Sequence, residues 1–167
     1  AGTGAVDLST STPGAYTVTY TTAGPCSANS NQAITIVADE DATYTYSSTT
    51  ECQSGTDMTA TITGTAGGTF TATPAGLTLN STTGLIDVST STANTYDVTY
   101  TTPGACPATL IISVTINVDE DASFTLSSAN ECQSGTDATA TITGTTGGAF
   151  TAAPAGLIIN SATGDID

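Results

Sequence analysis

Along nearly its whole length, position n of this chain repeats at position n + 80, at more than half of the positions. "ECQSGTD" (51–57) returns at 131–137, and "TATITGT" (59–65) returns at 139–145. Tyr16, Val18 and Tyr20 match Tyr96, Val98 and Tyr100, while Cys26 matches Cys106 and Cys52 matches Cys132. A fixed period of this size means an array of small units, each packing its own core or sharing one with a neighbour. Two acid clusters make natural boundaries: Asp39, Glu40 and Asp41, then Asp119, Glu120 and Asp121. In that frame 39–118 is one complete repeat. Residues 1–38 are the C-terminal half of a preceding repeat, and 119–167 are the N-terminal half of the next. The chain opens in mid-pattern, so it is expected to be a window onto a longer array. The alternative is that the two half-repeats complete each other between chains. Such a head-to-tail contact is heterologous, does not close, and makes fibres.

About a quarter of the residues are Thr, and the 17 Gly accompany turn-forming Asn, Asp, Ser and Pro. Thr, Val, Ile and Tyr favour strands, and no segment sustains a helical period, so the fold class is all-β. Strands are expected at 42–46, 58–64, 68–72, 76–79, 84–88, 95–101 and 110–117. Alternation is clearest in "TYDVTYT" (95–101), where Tyr96, Val98 and Tyr100 face one way and Thr95, Asp97 and Thr99 the other. Seven short strands with closely spaced turns predict an immunoglobulin-like β-sandwich of 80 residues per repeat. Tyr96 stands where the tyrosine corner of such a sandwich would be, its phenol reaching a backbone carbonyl.

The segment "AGLTLNSTTGLIDVSTSTANTYDVTYT" (75–101), with "ECQSGTD" and "TITGTAGGTF" before it, resembles immunoglobulin-like, cadherin-like bacterial repeats. In those, a Gly-Leu-x-Leu-Asn turn leads to Thr-Gly-x-Ile-Asp and then to a Tyr-x-Val-Thr-Tyr strand. The unit is similar to repeats of giant Bacteroidota cell-surface proteins, including gliding-motility adhesins, and the similarity covers essentially the whole chain. The absence of Lys departs from that pattern. The resemblance implies secretion to the cell surface, long tandem arrays, and a part in adhesion or in surface filaments. It implies no enzyme.

The chain has no Lys, no Arg and no His, and a formal charge of −15. Nucleic-acid binding needs cations to displace counterions from phosphates, so that class is excluded. Anionic membrane surfaces are excluded likewise, and no apolar stretch approaches 18 residues, so no membrane insertion is expected in this segment. Nucleophile–base catalysis through His or Lys is absent, as are isopeptide cross-links through Lys. Carboxylate pairs can hydrolyse glycosides, but only across a cleft at a set separation, and acids copied into every repeat argue against one. The expected partners are neighbouring repeats and other copies of the chain in a filament.

Two Cys per repeat in an exported array argue for disulfides, and no CxxC or His supports zinc. The expected pairing is Cys52 with Cys106 inside the complete repeat, worth about 4 kcal/mol on a chain-entropy basis. It leaves Cys26 and Cys132 to partners outside the window. Pairing Cys26 with Cys52 and Cys106 with Cys132 is equally periodic and would staple neighbours together. The first pairing requires Cys52 to approach the turn between the last two strands. A plain sandwich would put the two at opposite ends.

With no base to pair with, the acid clusters have two readings. Asp39, Glu40 and Asp41, and again Asp119, Glu120 and Asp121, could ligate calcium at a joint and stiffen the array, with loop carbonyls completing the shell. Glu51, Asp57 and Asp87 could add ligands. The bland reading is a solvated acidic hinge that discourages edge pairing. "DED" is not an EF-hand loop and lacks the spacing of cadherin linkers. Calcium is the one cofactor these residue types suggest. Thr-rich strands could carry O-glycans, Asn80 is the one Asn-x-Ser/Thr position, and Phe70 and Phe150 beside "GG" turns are core residues or a sugar-stacking platform.

Overall fold

The computed structural model describes residues 4–167, and every regular element among them is a strand. The first half-repeat contributes β1 (Gly14–Thr21) and β2 (Asn29–Ile36). The complete repeat contributes β3 (Tyr44–Tyr46), β4 (Thr50–Cys52), β5 (Ala60–Ile62), β6 (Thr69–Thr73), β7 (Thr78–Leu79), β8 (Ile86–Asp87), β9 (Asn94–Thr101) and β10 (Thr109–Asn117). The last half-repeat contributes β11 (Phe124–Leu126) and β12 (Ala140–Ile142). The chain divides into two compact units, one ending at Asn117 and the other running from Val118 to Asp167.

In the complete repeat, β4-β10-β9-β6 form one sheet, with β4 parallel to β10 and the other pairings antiparallel. The pairs β3-β5 and β7-β8 lie outside that sheet. The arrangement is all-β and consistent with a β-sandwich. Tyr96, Val98 and Tyr100 of β9 are fully buried, while Thr95, Asp97 and Thr99 are not, as the alternation predicts. They meet Val114 and Ile116 of β10, Phe70 of β6, Tyr44 of β3, and Met58, Ile86 and Val88 in one core.

Aromatic rings organise the centre of that core. Tyr44 sits edge-on to Phe70, Tyr100 and Tyr46, with centroids 5.3, 5.8 and 5.7 Å away. Phe70 is therefore a core residue and no sugar platform, at 1% exposure. Each buried phenol finds a carbonyl, as burial requires. Tyr44 Oη donates to Val98 O (2.7 Å), tying β3 to β9, and Tyr46 Oη donates to Gly84 O (2.8 Å). Burial pushes the Tyr44 phenol up to about 12 and raises that of Tyr46 further. The expected tyrosine corner is present: Tyr96 Oη donates to Thr92 O at 2.6 Å.

One strand, β4, was not expected from the sequence, where Thr50–Cys52 reads as a turn. It pairs Thr50, Glu51 and Cys52 with Thr115, Ile116 and Asn117. Gln53 continues the connection, its N–H reaching Asn117 O (3.0 Å) and its side-chain amide reaching Ser91 O (2.8 Å).

Candidate functional site

The acids at the joints serve the backbone around them. Asp41 Oδ1 accepts from Thr43 N (2.9 Å) and from the Thr43 hydroxyl. The Asp41 backbone meanwhile exchanges bonds with Thr65. Asp121 repeats the arrangement with Ser123 and Thr145. Glu40 turns elsewhere: its Oε2 accepts from Gly104 N at 3.1 Å, in the β9–β10 turn. The three carboxylates of the first cluster thus have no common focus. Asp39, Asp119 and Glu120 are exposed. Among the described residues no group of three or more His, Cys, Asp or Glu side chains is placed to hold a metal ion.

Two of the other candidate ligands, Asp57 and Asp87, are also bonded locally or to a neighbouring segment. Asp57 Oδ1 accepts from Val88 N (3.1 Å), and Asp87 Oδ1 from Ser89 Oγ (2.7 Å) and Thr90 N (3.1 Å). Glu51 lies in β4 opposite Ile116. Asn80 is a turn residue, its Oδ1 accepting from Thr82 N and Thr83 N. The residue pattern that sequence reasoning missed is Asp-x-Ser/Thr, which closes a turn at Asp7, Asp41, Asp87 and Asp121, four of its seven occurrences. At those four the carboxylate closes a turn on its own segment, whereas Asp57 and Asp97, with the same spacing, accept from Val88 N and Ser113 Oγ on other strands or turns. In all four the Ser or Thr two residues on is the main cause holding the carboxyl below its ordinary value of 3.8.

A pH prediction follows from that direction. A carboxyl depressed in the folded state stabilises above its unfolded value and loses that contribution as pH falls through its folded value. Asp41→Asn is expected to lower the urea midpoint at pH 7 and to lose less than the parent between pH 4.5 and 2.5. Parallel urea titrations at both pH values would show this. Equal losses in the two proteins would mean that Asp41 adds nothing to acid sensitivity.

The cysteines correct an expectation. All four thiols are unbonded. Cys52 lies opposite Asn117 at one end of β10, and Cys106 lies in the β9–β10 turn, beyond Thr109 at the other. The nine residues of β10 separate those ends by about 26 Å at ~3.3 Å per residue. A disulfide needs Cα atoms within about 7 Å, so Cys52 does not pair with Cys106 in this fold. The unexpected β4 is the reason, since it carries Cys52 away from that turn.

The remaining features are two open faces. The β1-β2 hairpin has the register of β9-β10 shifted by one repeat: Gly14 faces Ile36 as Asn94 faces Ile116. Its corner is built too, with Tyr16 Oη donating to Thr12 O (2.8 Å). Yet Tyr16, Val18 and Tyr20 are 42%, 50% and 71% exposed, whereas their counterparts in β9 are buried. In the second unit, β11 and β12 pair as β3 and β5 do, Phe124 facing Ile142 as Tyr44 faces Ile62. Phe124 stands edge-on to Phe150 at 5.2 Å, beside a cavity of roughly 310 Å³. Compared with known proteins, the chain matches no protein-family model and no curated protein.

Proposed function

We propose that this chain is a non-enzymatic structural repeat of an extracellular stalk or filament, built of immunoglobulin-like units in tandem. The observation that carries the reading is the 80-residue repeat itself. Near copies in register suit a rope, in which each unit does the same mechanical task, better than an adhesive tip that must specialise. The cell-surface setting rests on the resemblance to Bacteroidota repeats and on a composition with no cation for nucleic acid or anionic lipid. An adhesive reading loses its best aromatic, since Phe70 is the centre of the core. A glycan array probed with the labelled chain tests the reading: no reproducible binding is expected, and saturable binding to one glycan class would overturn the spacer role.

A calcium-stiffened rod is the remaining variant, and the local bonding of Asp41 and Glu40 disfavours it. Thermal unfolding in millimolar calcium is expected to match unfolding in magnesium at equal ionic strength, within about 2 °C. Both cations relieve the repulsion of a chain with charge −15. A calcium-specific rise of 10 °C or more would make the joints metal sites.

A further inference from the structure

We propose that the two open faces are complementary halves of one interface, and that the hairpin β1-β2 of one copy of this chain completes residues 119–167 of a second copy. The complete repeat is the template. There Tyr100 lies against Phe70 (4.6 Å between centroids) and Tyr44, donates to Thr65 O (2.7 Å) and accepts from Gly68 N (3.0 Å). One repeat later those four positions are Phe150, Phe124, Thr145 and Gly148, and all four line the cavity of roughly 310 Å³. One repeat earlier, Tyr100 is Tyr20, the most exposed large apolar side chain among the described residues. The socket is lined by the residues that hold this tyrosine in the finished core, and the hairpin presents the tyrosine.

A second cavity locates the other end of the contact. In the complete repeat, Cys52 pairs with Asn117 and the Gln53 side chain reaches Ser91 O. Shifted by one repeat, Cys132 of the second copy would pair with Val37, and its Gln133 would reach Ser11. Val37 and Ser11 line a cavity of roughly 690 Å³, and Cys106 lines the same cavity. Completion therefore brings Cys132 of one copy to Cys106 of the other. With a small disulfide such as oxidised glutathione as oxidant, the two thiols lose two protons and two electrons. One S–S bond forms, and two glutathione thiols leave. Each copy uses its hairpin on one neighbour and its socket on another, so the contact is heterologous and propagates.

The inference deepens the filament reading and takes its setting from it, but it fails separately. Glycan binding would sink the spacer role and leave the contact intact. The test uses the chain of residues 1–167 with a reductant, across a hundredfold concentration range in sedimentation velocity and negative-stain microscopy. Open linear oligomers growing in steps of 16.4 kDa are expected. Tyr20→Ala, which leaves the complete repeat's core untouched, is expected to raise the assembling concentration at least a hundredfold. Next, ¹⁴N and ¹⁵N chains are mixed in glutathione buffer and cleaved at Asp and Glu, since the chain has no Lys or Arg. Mixed-isotope peptides joining Cys106 to Cys132 are expected. A monomer at every concentration, a closed hairpin-to-hairpin dimer, oligomers indifferent to Tyr20→Ala, or cross-links other than Cys106–Cys132 would each overturn the proposal.

Discussion

Tyr100→Ala is expected to unfold the complete repeat, or to bring it within reach of unfolding at room temperature. The side chain is fully buried between Phe70 and Tyr44. Truncating a buried aromatic to Ala costs about 3–5 kcal/mol. The loss also strands Gly68 N and Thr65 O, which the phenol joins, at about 1 kcal/mol or more each. A small domain has roughly 5–15 kcal/mol of stability in all, so the sum is a large share of it. Tyr100→Phe keeps the ring contacts and is expected to cost about 2–3 kcal/mol, because only the hydroxyl and its two bonds are lost. Urea unfolding followed by tyrosine fluorescence separates the two. Tyr20→Ala is the internal control. It occupies the same sequence position one repeat earlier, but the side chain is 71% exposed. It is expected to shift the midpoint of the dilute chain by less than about 0.5 kcal/mol. Comparable losses from Tyr100→Ala and Tyr20→Ala would contradict the placement of the core.

Gly84→Val is expected to cost about 3–4 kcal/mol, by two routes that act together. Gly84 has φ +72°, a left-handed conformation that a β-branched residue adopts only with strain. A Cβ there would stand 2.7 Å from Ala60 Cβ and 2.8 Å from Phe70 Cζ, so the added carbons would also overpack the core. The turn has little room to yield. Gly84 N donates to Asn80 O (2.8 Å), and Gly84 O accepts from the Tyr46 phenol (2.8 Å). Gly84→Ala is expected to fall between the parent and the valine variant, since it brings the strain with fewer extra atoms. Thermal melts of the three proteins check the order. An unchanged melting temperature for Gly84→Val would mean that the 80–85 turn is not fixed in this conformation.

The parts of the fold that were legible in the sequence are those written in short-range pattern. The alternation of Tyr96, Val98 and Tyr100 gave the buried face of β9, whereas Gly84, inside the strand expected at 84–88, lies in the turn before β8. The corner bond of Tyr96 follows from the same local geometry. What was not legible was β4. Three residues carry no period, and the strand exists because its backbone meets β10 across more than sixty residues of chain, in a parallel pairing that no turn announces. The disulfide expectation required Cys52 to depart from the opposite-end placement of a plain sandwich, and the pairing of β4 with β10 holds it at that opposite end. The local bonding of the acid clusters was not legible for a different reason. A run of carboxylates draws attention to charge, whereas the hydroxyl two residues on decides where Asp41 and Asp121 point. The open faces could be counted from the repeat, but the socket needed coordinates, because Thr65 and Gly68 hold Tyr100 through backbone atoms, which leave no mark in the sequence.

The parallel pairing of β4 with β10 has a mechanical consequence. The chain comes into the complete repeat beside Gly104, where Glu40 is bonded, and leaves it past Asn117, at the other end of β10. A pull on the two ends drags β4 backward toward the Gly104 end and β10 forward past Asn117. The two strands are then asked to slide along each other lengthwise. Their ladder bonds run across that direction and must give way together, not one after another as in a zipper peeled from its end. A three-residue strand that adds little to the core at equilibrium is therefore placed where it resists tension applied between the two ends of the repeat.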